Sequence, residues 1–100
     1  MRIVATKTLL DFWLAHPDAK TSLQHWISIA RASAWRSMND VMLSFPKAKA
    51  INGERARFEV AGGNYRPIAA FQFGAQIVWV KFIGTHADYA KIDAANVSQF

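Results

Sequence analysis

The chain has 100 residues, of which 52% are hydrophobic and 19% are charged, a balance that suits one small folded domain over residues 1–100. It contains no cysteine, which excludes disulfide bonds, thiolate zinc sites and cysteine nucleophiles. The formal net charge of +5 favours polyanions as partners. No apolar stretch approaches the ~20 residues of a membrane span, and the start of the chain shows no signal-peptide pattern. We therefore expect a soluble protein of the cytoplasm.

The first part of the sequence has the periodicity of helices. Arg2–Ala5 is expected to form a short strand, and Thr6 to cap a helix over Lys7–Ala15. A second helix is expected over Pro17–Ala34, because proline suits a first helical turn and apolar residues then recur on one face. The apolar stripes are Leu9, Leu10, Trp13 and Leu14 in the first helix and Leu23, Trp26, Ile27 and Ala30 in the second.

The pattern changes from helical to strand-like after Pro46. A short third helix, capped by Asn39 or Asp40, is expected just before that proline. Beyond it, Asn52-Gly53 predicts a two-residue type I′ hairpin turn, which requires positive φ at both positions. The expected strands are Ala48–Ile51, Glu54–Val60, Tyr65–Phe73 and Gln76–Ile83, with turns at Gly62-Gly63-Asn64 and Gly74-Ala75.

A last short helix is expected after the final strand, because Thr85 and Asp88 have the spacing of a capping box. The order of elements predicts an α+β fold. Two N-terminal helices pack on one face of a twisted, largely antiparallel sheet, and the short helix follows at the C-terminal side. The other face of the sheet is expected to be open for a ligand.

The final strand and helix carry the residues with the clearest chemical potential. His86, Tyr89 and Lys91 follow Gly84 closely, and Arg66 lies on the preceding strand. Pairing about the turn at 74–75 places Arg66 opposite residues 83–84, which brings it beside His86. An Arg, a Lys, a His and a Tyr can bind a phosphate and move the protons of an RNA hydroxyl, so these four residues are the catalytic candidates.

Each candidate also has a purely structural interpretation. His86 can serve only to pack at a strand–helix corner, and Tyr89 can be a half-buried aromatic with its hydroxyl in water. Arg66 can pair with an acidic residue across the sheet, either Glu54 or Glu59. Lys91 can be an ordinary solvated charge.

Three further basic residues are candidates for RNA binding. Arg55 and Arg57 share the outward face of one strand, for which a solvated surface is the usual explanation, and Lys81 interrupts an apolar strand. No metal site or cofactor is expected, because the three histidines lie far apart and the seven acidic residues are dispersed.

The sequence resembles the HigB family of toxins from type II toxin–antitoxin systems, within the wider RelE-like group of mRNA endonucleases. The most specific match is the run from Phe82 to Ile92, which contains the Phe-Ile-Gly-Thr-His element followed by Tyr89 and Lys91. The other matching segments are Lys7-Thr8-Leu9 with Trp13, His16-Pro17-Asp18-Ala19, Trp35, Arg55-Ala56-Arg57-Phe58 and Tyr65-Arg66. The chain departs from the family pattern at Gly62-Gly63-Asn64 and at Pro67, where the family usually has an apolar residue.

The resemblance implies a RelE-like fold and a ribosome-associated endoribonuclease that cuts mRNA in the decoding site. It also implies a HigA-type antitoxin that neutralises the toxin and binds operator DNA. By family pattern the functional residues are Arg66, His86, Tyr89 and Lys91. The alternative is a non-catalytic module that binds RNA or the ribosome and blocks translation by occupancy, since the basic residues serve either function.

Overall fold

A five-stranded mixed sheet, with the N-terminal helices packed on one face, organises the computed structural model, which describes residues 1–100. The strands are β1 (Arg2–Val4), β2 (Lys49–Ala50), β3 (Arg55–Arg57), β4 (Ile68–Gln72) and β5 (Ile77–Phe82). The helices are α1 (Thr6–Ala15), α2 (Lys20–Ala32), α3 (Met38–Ser44) and α4 (His86–Tyr89). The expected α+β class, with a short helix after the last strand, is confirmed.

The sheet has the strand order β1-β5-β4-β3-β2. β2, β3, β4 and β5 pair antiparallel in sequence order, whereas β1 pairs parallel with β5. The largely antiparallel sheet is thus confirmed. The register of β4 on β5 shifts by one residue between Ile68 and Ala69, and such a bulge bends and twists the strands locally.

The main core lies between α2, with its neighbouring helices, and the inward face of the sheet. Leu23 and Trp26 of α2 pack in one cluster with Phe58 and Val78, and all four residues are nearly inaccessible. The indole of Trp26 meets the ring of Phe58 edge to face at 5.4 Å, an arrangement that favours the aromatic quadrupoles. The predicted stripe of the second helix is therefore confirmed as a buried face.

The predicted stripe of α1 is only partly buried. Leu9 is 1% exposed, but Leu10 and Leu14 are 45% and 71% exposed. The helix lies at the surface, so one narrow line of side chains meets the core, and Phe12 and Trp13 lie at its margin. Periodicity alone did not show which apolar residues of the stripe would find a partner.

Several helix ends differ from the sequence-based expectation. Thr6 lies inside α1 and Ala5 precedes the helix without a side-chain cap. Pro17 begins a separate 3-10 turn, Pro17–Ala19, and α2 ends at Ala32 because Ser33 is extended. The cap of α3 is Ser37, whose Oγ accepts from the backbone N–H of Asp40 at 3.3 Å.

The hairpin between β2 and β3 is confirmed, but the predicted turn type is wrong. Neither Asn52 nor Gly53 has a positive φ. Instead, Oδ1 of Asn52 accepts from the backbone N–H groups of Glu54 and Arg55 at 2.8 and 2.9 Å, a local bond that stabilises an open loop. At the next turn Gly62 and Gly63 do have positive φ, 67° and 93°.

The outward face of the sheet is not fully open, contrary to expectation. Residues after α4 return across it, and the guanidinium of Arg55 donates to the carbonyls of Ala94 and Val97 at 3.2 and 2.7 Å. Gln99 then bonds β5, donating its N–H to Lys81 O at 2.8 Å and accepting from Ile83 N at 2.9 Å. We call residues 94–99 the C-terminal segment.

Candidate functional site

The backbone of Arg66 lies directly beside the end of β5. Its N–H donates to Gly84 O at 2.9 Å, and the preceding residue, Tyr65, forms a bridge with Thr85. The expected register, with Arg66 opposite residues 83–84, is therefore confirmed. The same pairing fixes the position of Arg66 relative to the start of α4.

A glycine is needed at position 84, where the chain turns from β5 into α4. A Cβ atom on Gly84 would lie 2.8 Å from Cζ of Phe82 and 2.9 Å from Cβ of Asp88. Thr85 and Asp88 then form the predicted capping box, each side chain accepting from the other's backbone N–H at 3.1 and 3.0 Å. The backbone N–H of Thr85, followed by its hydroxyl, lowers the pKa of Asp88.

The capped helix brings Tyr89 against Arg66. The guanidinium carbon of Arg66 lies 5.1 Å from the centre of the Tyr89 ring, which is within range for a cation–π interaction. Tyr89 also approaches the ring of Phe82, with 6.4 Å between the centres. Arg66 and Tyr89 therefore form one unit at the corner.

Glu59 and Arg57 complete this unit from the neighbouring strand edge. Oε1 of Glu59 lies 3.4 Å from Nη2 of Arg57 and 3.7 Å from Nη2 of Arg66. The side chains of the two arginines are only 15% and 17% exposed. We call Arg57, Glu59, Arg66 and Tyr89 the arginine site.

Both guanidinium groups of the arginine site have hydrogen-bonding capacity left over. The Nε atoms of Arg57 and Arg66 are buried and have no hydrogen-bond partner, although buried polar groups are normally paired. The contacts to Glu59 are also longer than the ~2.7–2.9 Å of a strong charge-assisted bond. The site therefore holds two cations whose donors one carboxylate does not satisfy.

His86 and Lys91 flank this unit without binding it. His86 is the exposed first residue of α4, and its backbone N–H donates to Asn64 O at 3.2 Å. Lys91 lies in the turn after α4 and is exposed. No hydrogen bond or ion pair joins either side chain to Arg66, so the structure brings together Arg66 and Tyr89 but leaves the other two candidates at the rim.

A cluster behind the corner connects it to the first helix. The phenol of Tyr65 donates to Oδ1 of Asp18 at 2.7 Å, and its ring lies 5.2 Å from that of Phe12 and 5.1 Å from that of His16. The hydrogen bond to Asp18, together with burial and the charge of that carboxylate, raises the pKa of Tyr65. These contacts fix the chain immediately before Arg66.

The three residues predicted to bind RNA have different environments. Arg57 belongs to the arginine site, so the alternative explanation of a solvated face does not apply to it, and its binding of RNA stays a prediction. Arg55 is engaged by the C-terminal segment. Lys81 is half-buried, and its carbonyl accepts from Gln99.

The sequence matches the model of a known protein family. The model for the HigB toxin, the RelE-like toxic component of a toxin–antitoxin system, matches residues 19–92. This match covers well over half of the chain.

The chain belongs to the HigB toxin family.

It is therefore the toxin of a toxin–antitoxin system, and an antitoxin is its implied partner. No curated protein matches the chain at a significant level. The matched region of the toxin contains every residue of the arginine site as well as His86 and Lys91.

Sequence reasoning did not assign Glu59 to the site of the toxin, although it named Glu59 as one possible ion-pair partner of Arg66. A usable signal was present. Arg57 and Glu59 are two residues apart on one strand and so share a face, and continuation of the β3–β4 register places Glu59 opposite Arg66. The role of the C-terminal segment had no comparable signal.

No group of three or more His, Cys, Asp or Glu side chains has a geometry that could hold a metal ion. None of the toxin's helices combines the length and apolar character needed to cross a membrane.

Proposed function

We propose that the toxin is an endoribonuclease that cuts ribosome-associated mRNA, without a metal, and so inhibits translation. The observation that carries the proposal is the pair of guanidinium groups, those of Arg57 and Arg66, which share one carboxylate at 3.4 and 3.7 Å beside Tyr89. Their terminal N–H donors, which Glu59 does not satisfy, are matched by the oxygens of a phosphodiester. Membership of a RelE-like toxin family supports the same assignment.

A phosphate group fits the arginine site better than the carboxylate that occupies it. A guanidinium presents five N–H donors in a planar fork, and bidentate pairing with phosphate oxygens uses two of them. Glu59 meets only one nitrogen of each arginine, at 3.4 and 3.7 Å. In the proposed complex the phosphodiester takes the exposed donors of Arg66, and Lys91 adds a further positive charge from the rim.

The proposed reaction is transfer of the phosphoryl group to the neighbouring ribose. The 2′-oxygen loses its proton and forms a bond to phosphorus, the bond to the 5′-oxygen breaks, and that oxygen gains a proton. The products are a 2′,3′-cyclic phosphate and a free 5′-hydroxyl. His86 is the proposed proton-transfer group, Tyr89 orients or stacks on the nucleotide, and Arg66 with Lys91 stabilises the charge on the non-bridging oxygens.

An RNA substrate follows from this chemistry, whereas the ribosome and the antitoxin are proposed from membership of the toxin family. The RNA is messenger RNA in the decoding site of the ribosome, approached by the basic residues Arg57 and Lys81, with Arg55 accessible if the C-terminal segment moves. The antitoxin is proposed to be of the HigA type, which also binds operator DNA.

Primer extension on a reporter mRNA in a purified translation system tests the function. The parent toxin is expected to create new 5′ ends, and His86→Ala to reduce them strongly while circular dichroism shows an unchanged fold. If protein synthesis stopped without new 5′ ends, the toxin would act by occupancy and the endonuclease assignment would be wrong.

The absence of a metal requirement has its own test. Cleavage of reporter mRNA by the toxin is expected to continue in EDTA, because the proposed charge stabilisation comes from arginine and lysine. Restoration of a lost activity by magnesium or manganese would contradict the mechanism. Where ribosomes are required, their integrity must be verified by sedimentation, since ribosomes themselves need magnesium.

A further inference from the structure

A cleft of about 540 Å³ lies on the helix side of the toxin, beside residues 58–60, which extend the line of β3. Its apolar wall is formed by the rings of Trp26, Phe45 and Phe58, and Lys47 and Glu59 lie at its opening. The cleft exists because β2 pairs with β3 only at Lys49 and Ala50. The chain before β2 then turns away, with the N–H of Ala48 donating to Phe45 O.

The strand edge that faces this cleft has free hydrogen-bonding groups. The backbone N–H groups of Phe58 and Val60 donate toward the β4 side, to Pro67 O and Tyr65 O. Because successive residues of a strand point their backbone groups to opposite sides, those of Glu59 point toward the cleft. Neither the N–H nor the C=O of Glu59 makes a hydrogen bond in the structure.

Such an edge is suited to pairing with another extended chain. Unpaired N–H and C=O groups on an edge strand are a template for a further strand, and a neighbouring pocket can accept one of its side chains. Here the accessible apolar surface of the pocket comes from Phe45, Pro46 and Ala48, with the rings of Trp26 and Phe58 behind them. An apolar side chain is the group that this wall would accept.

The charged residues at the opening of the cleft indicate which residues flank the apolar anchor of the ligand. Lys47 is exposed and pairs with no acidic residue, and His25 beside the cleft is also exposed. The carboxylate of Glu59 is the one acidic group of the lining, and it lies against Arg57 and Arg66. An incoming peptide therefore meets uncompensated positive charge, which favours acidic residues next to its apolar anchor.

We propose that this cleft binds an extended segment of the antitoxin, which adds to β3 through the backbone of Glu59 and inserts an apolar side chain against Trp26, Phe45 and Phe58. Acidic residues of the segment lie near Lys47. The proposal rests on membership of a toxin–antitoxin family. It is independent of the proposed endonuclease activity, because it requires neither RNA nor cleavage.

Hydrogen exchange of the toxin, alone and in complex with its cognate antitoxin, measures the proposed pairing directly. The amide of Glu59 is expected to exchange about tenfold more slowly, or slower still, in the complex, as an amide newly bonded in a strand does. An amide of Glu59 that exchanges equally fast in both samples overturns the proposal.

Site-specific cross-linking distinguishes this surface from the other exposed apolar one. The chain has no cysteine, so Lys47→Cys and Lys7→Cys each carry one benzophenone label, the first at the cleft and the second on α1 near Leu10. The antitoxin is expected to cross-link to the label at position 47. Cross-linking confined to position 7 would place the antitoxin on the α1–α2 surface and overturn the assignment.

Discussion

Arg55 and Arg66 lie on the same outward face of the sheet, yet the guanidinium of Arg55 is hydrogen-bonded within the fold and that of Arg66 is not. Arg55 donates to two backbone carbonyls of the C-terminal segment, those of Ala94 and Val97. Arg66 faces one distant carboxylate and the ring of Tyr89, and its Nε has no partner. A basic face is therefore not a uniform binding surface, because one arginine holds the fold together while another keeps donors for a ligand.

Alanine substitution of each arginine is expected to separate their functions, since only one of the two losses should strongly reduce mRNA cleavage. Arg66→Ala is expected to lower mRNA cleavage by about 10²–10³-fold, the usual cost of removing one group that stabilises transition-state charge. Arg55→Ala should lower cleavage far less, because the guanidinium of Arg55 is engaged by the carbonyls of Ala94 and Val97. Primer extension over a time course measures both.

The control for this experiment must lie outside the arginine site. If Arg57 were a solvated charge, as its position in the sequence suggests, Arg66→Ala would lower cleavage more than Arg57→Ala. In the structure, however, Arg57 is only 15% exposed and shares Glu59 with Arg66, so Arg57→Ala is not a suitable control. Arg31→Ala, at an exposed position on α2, is the better control. Equal cleavage by Arg66→Ala and Arg31→Ala would remove Arg66 from the site.

A second test changes Gly84, at the corner that positions Arg66, and leaves the surroundings of Arg55 unchanged. Gly84→Ala introduces a Cβ within 2.9 Å of Phe82 and Asp88, and overpacking of this kind costs about 1–3 kcal/mol. The free energy of unfolding, from urea denaturation, is expected to fall by that amount. Gly74→Ala, where an added Cβ meets nothing within 4 Å, is the matched control, and an equal loss in both variants would contradict the steric argument.

A third test addresses the structural arginine. Arg55→Ala removes two hydrogen bonds from a half-buried cation, which should lower the free energy of locally opening residues 94–99 by about 1–2 kcal/mol. Hydrogen exchange of the Val97 and Gln99 amides measures this opening. Arg66→Ala should leave these amides unchanged, and faster exchange in that variant instead would reverse the assignment of the two arginines.

The smallest expected effect concerns pH at the same corner. The pKa of Asp88 is lowered in the folded protein from its ordinary value of 3.8, chiefly by the backbone N–H of Thr85. The ionised carboxylate therefore stabilises the corner at pH values above 3.8. This stabilisation is lost as the pH falls through the lower pKa of the folded protein. In the parent, exchange of the Thr85 amide should rise in acid beyond its intrinsic pH dependence, and Asp88→Asn should abolish this excess.

The fold was largely predictable because its main determinants are local. The change from helical to alternating periodicity located the sheet, and the turn at 74–75 fixed the register that places Arg66 beside Gly84. Strand lengths were overestimated; β4 begins only at Ile68, after Pro67, which has no N–H to donate.

The parts that could not be predicted depend on partners distant in sequence. Arg55 bonds to residues about 40 positions later, through carbonyls that every residue possesses, so no side-chain pattern marks them. Leu10 and Leu14 match the apolar stripe, yet the fold gives them no neighbour to pack against. In the site, the shared carboxylate of Glu59 required the cross-strand register before it could be assigned.

The pairing of β1 with β5 has a consequence for how the toxin is made. Arg2, Ile3 and Val4 align with Ile77, Val78 and Trp79, so β1 cannot pair until β5, about 75 residues further along the chain, has been synthesised. The arginine site likewise needs the corner at Gly84, which follows β5. A nascent chain that has not yet exposed β5 has neither a complete sheet nor an assembled site, and a prematurely terminated chain never acquires them. The folded sheet and the arginine site therefore cannot form before β5 and the corner at Gly84 have been synthesised.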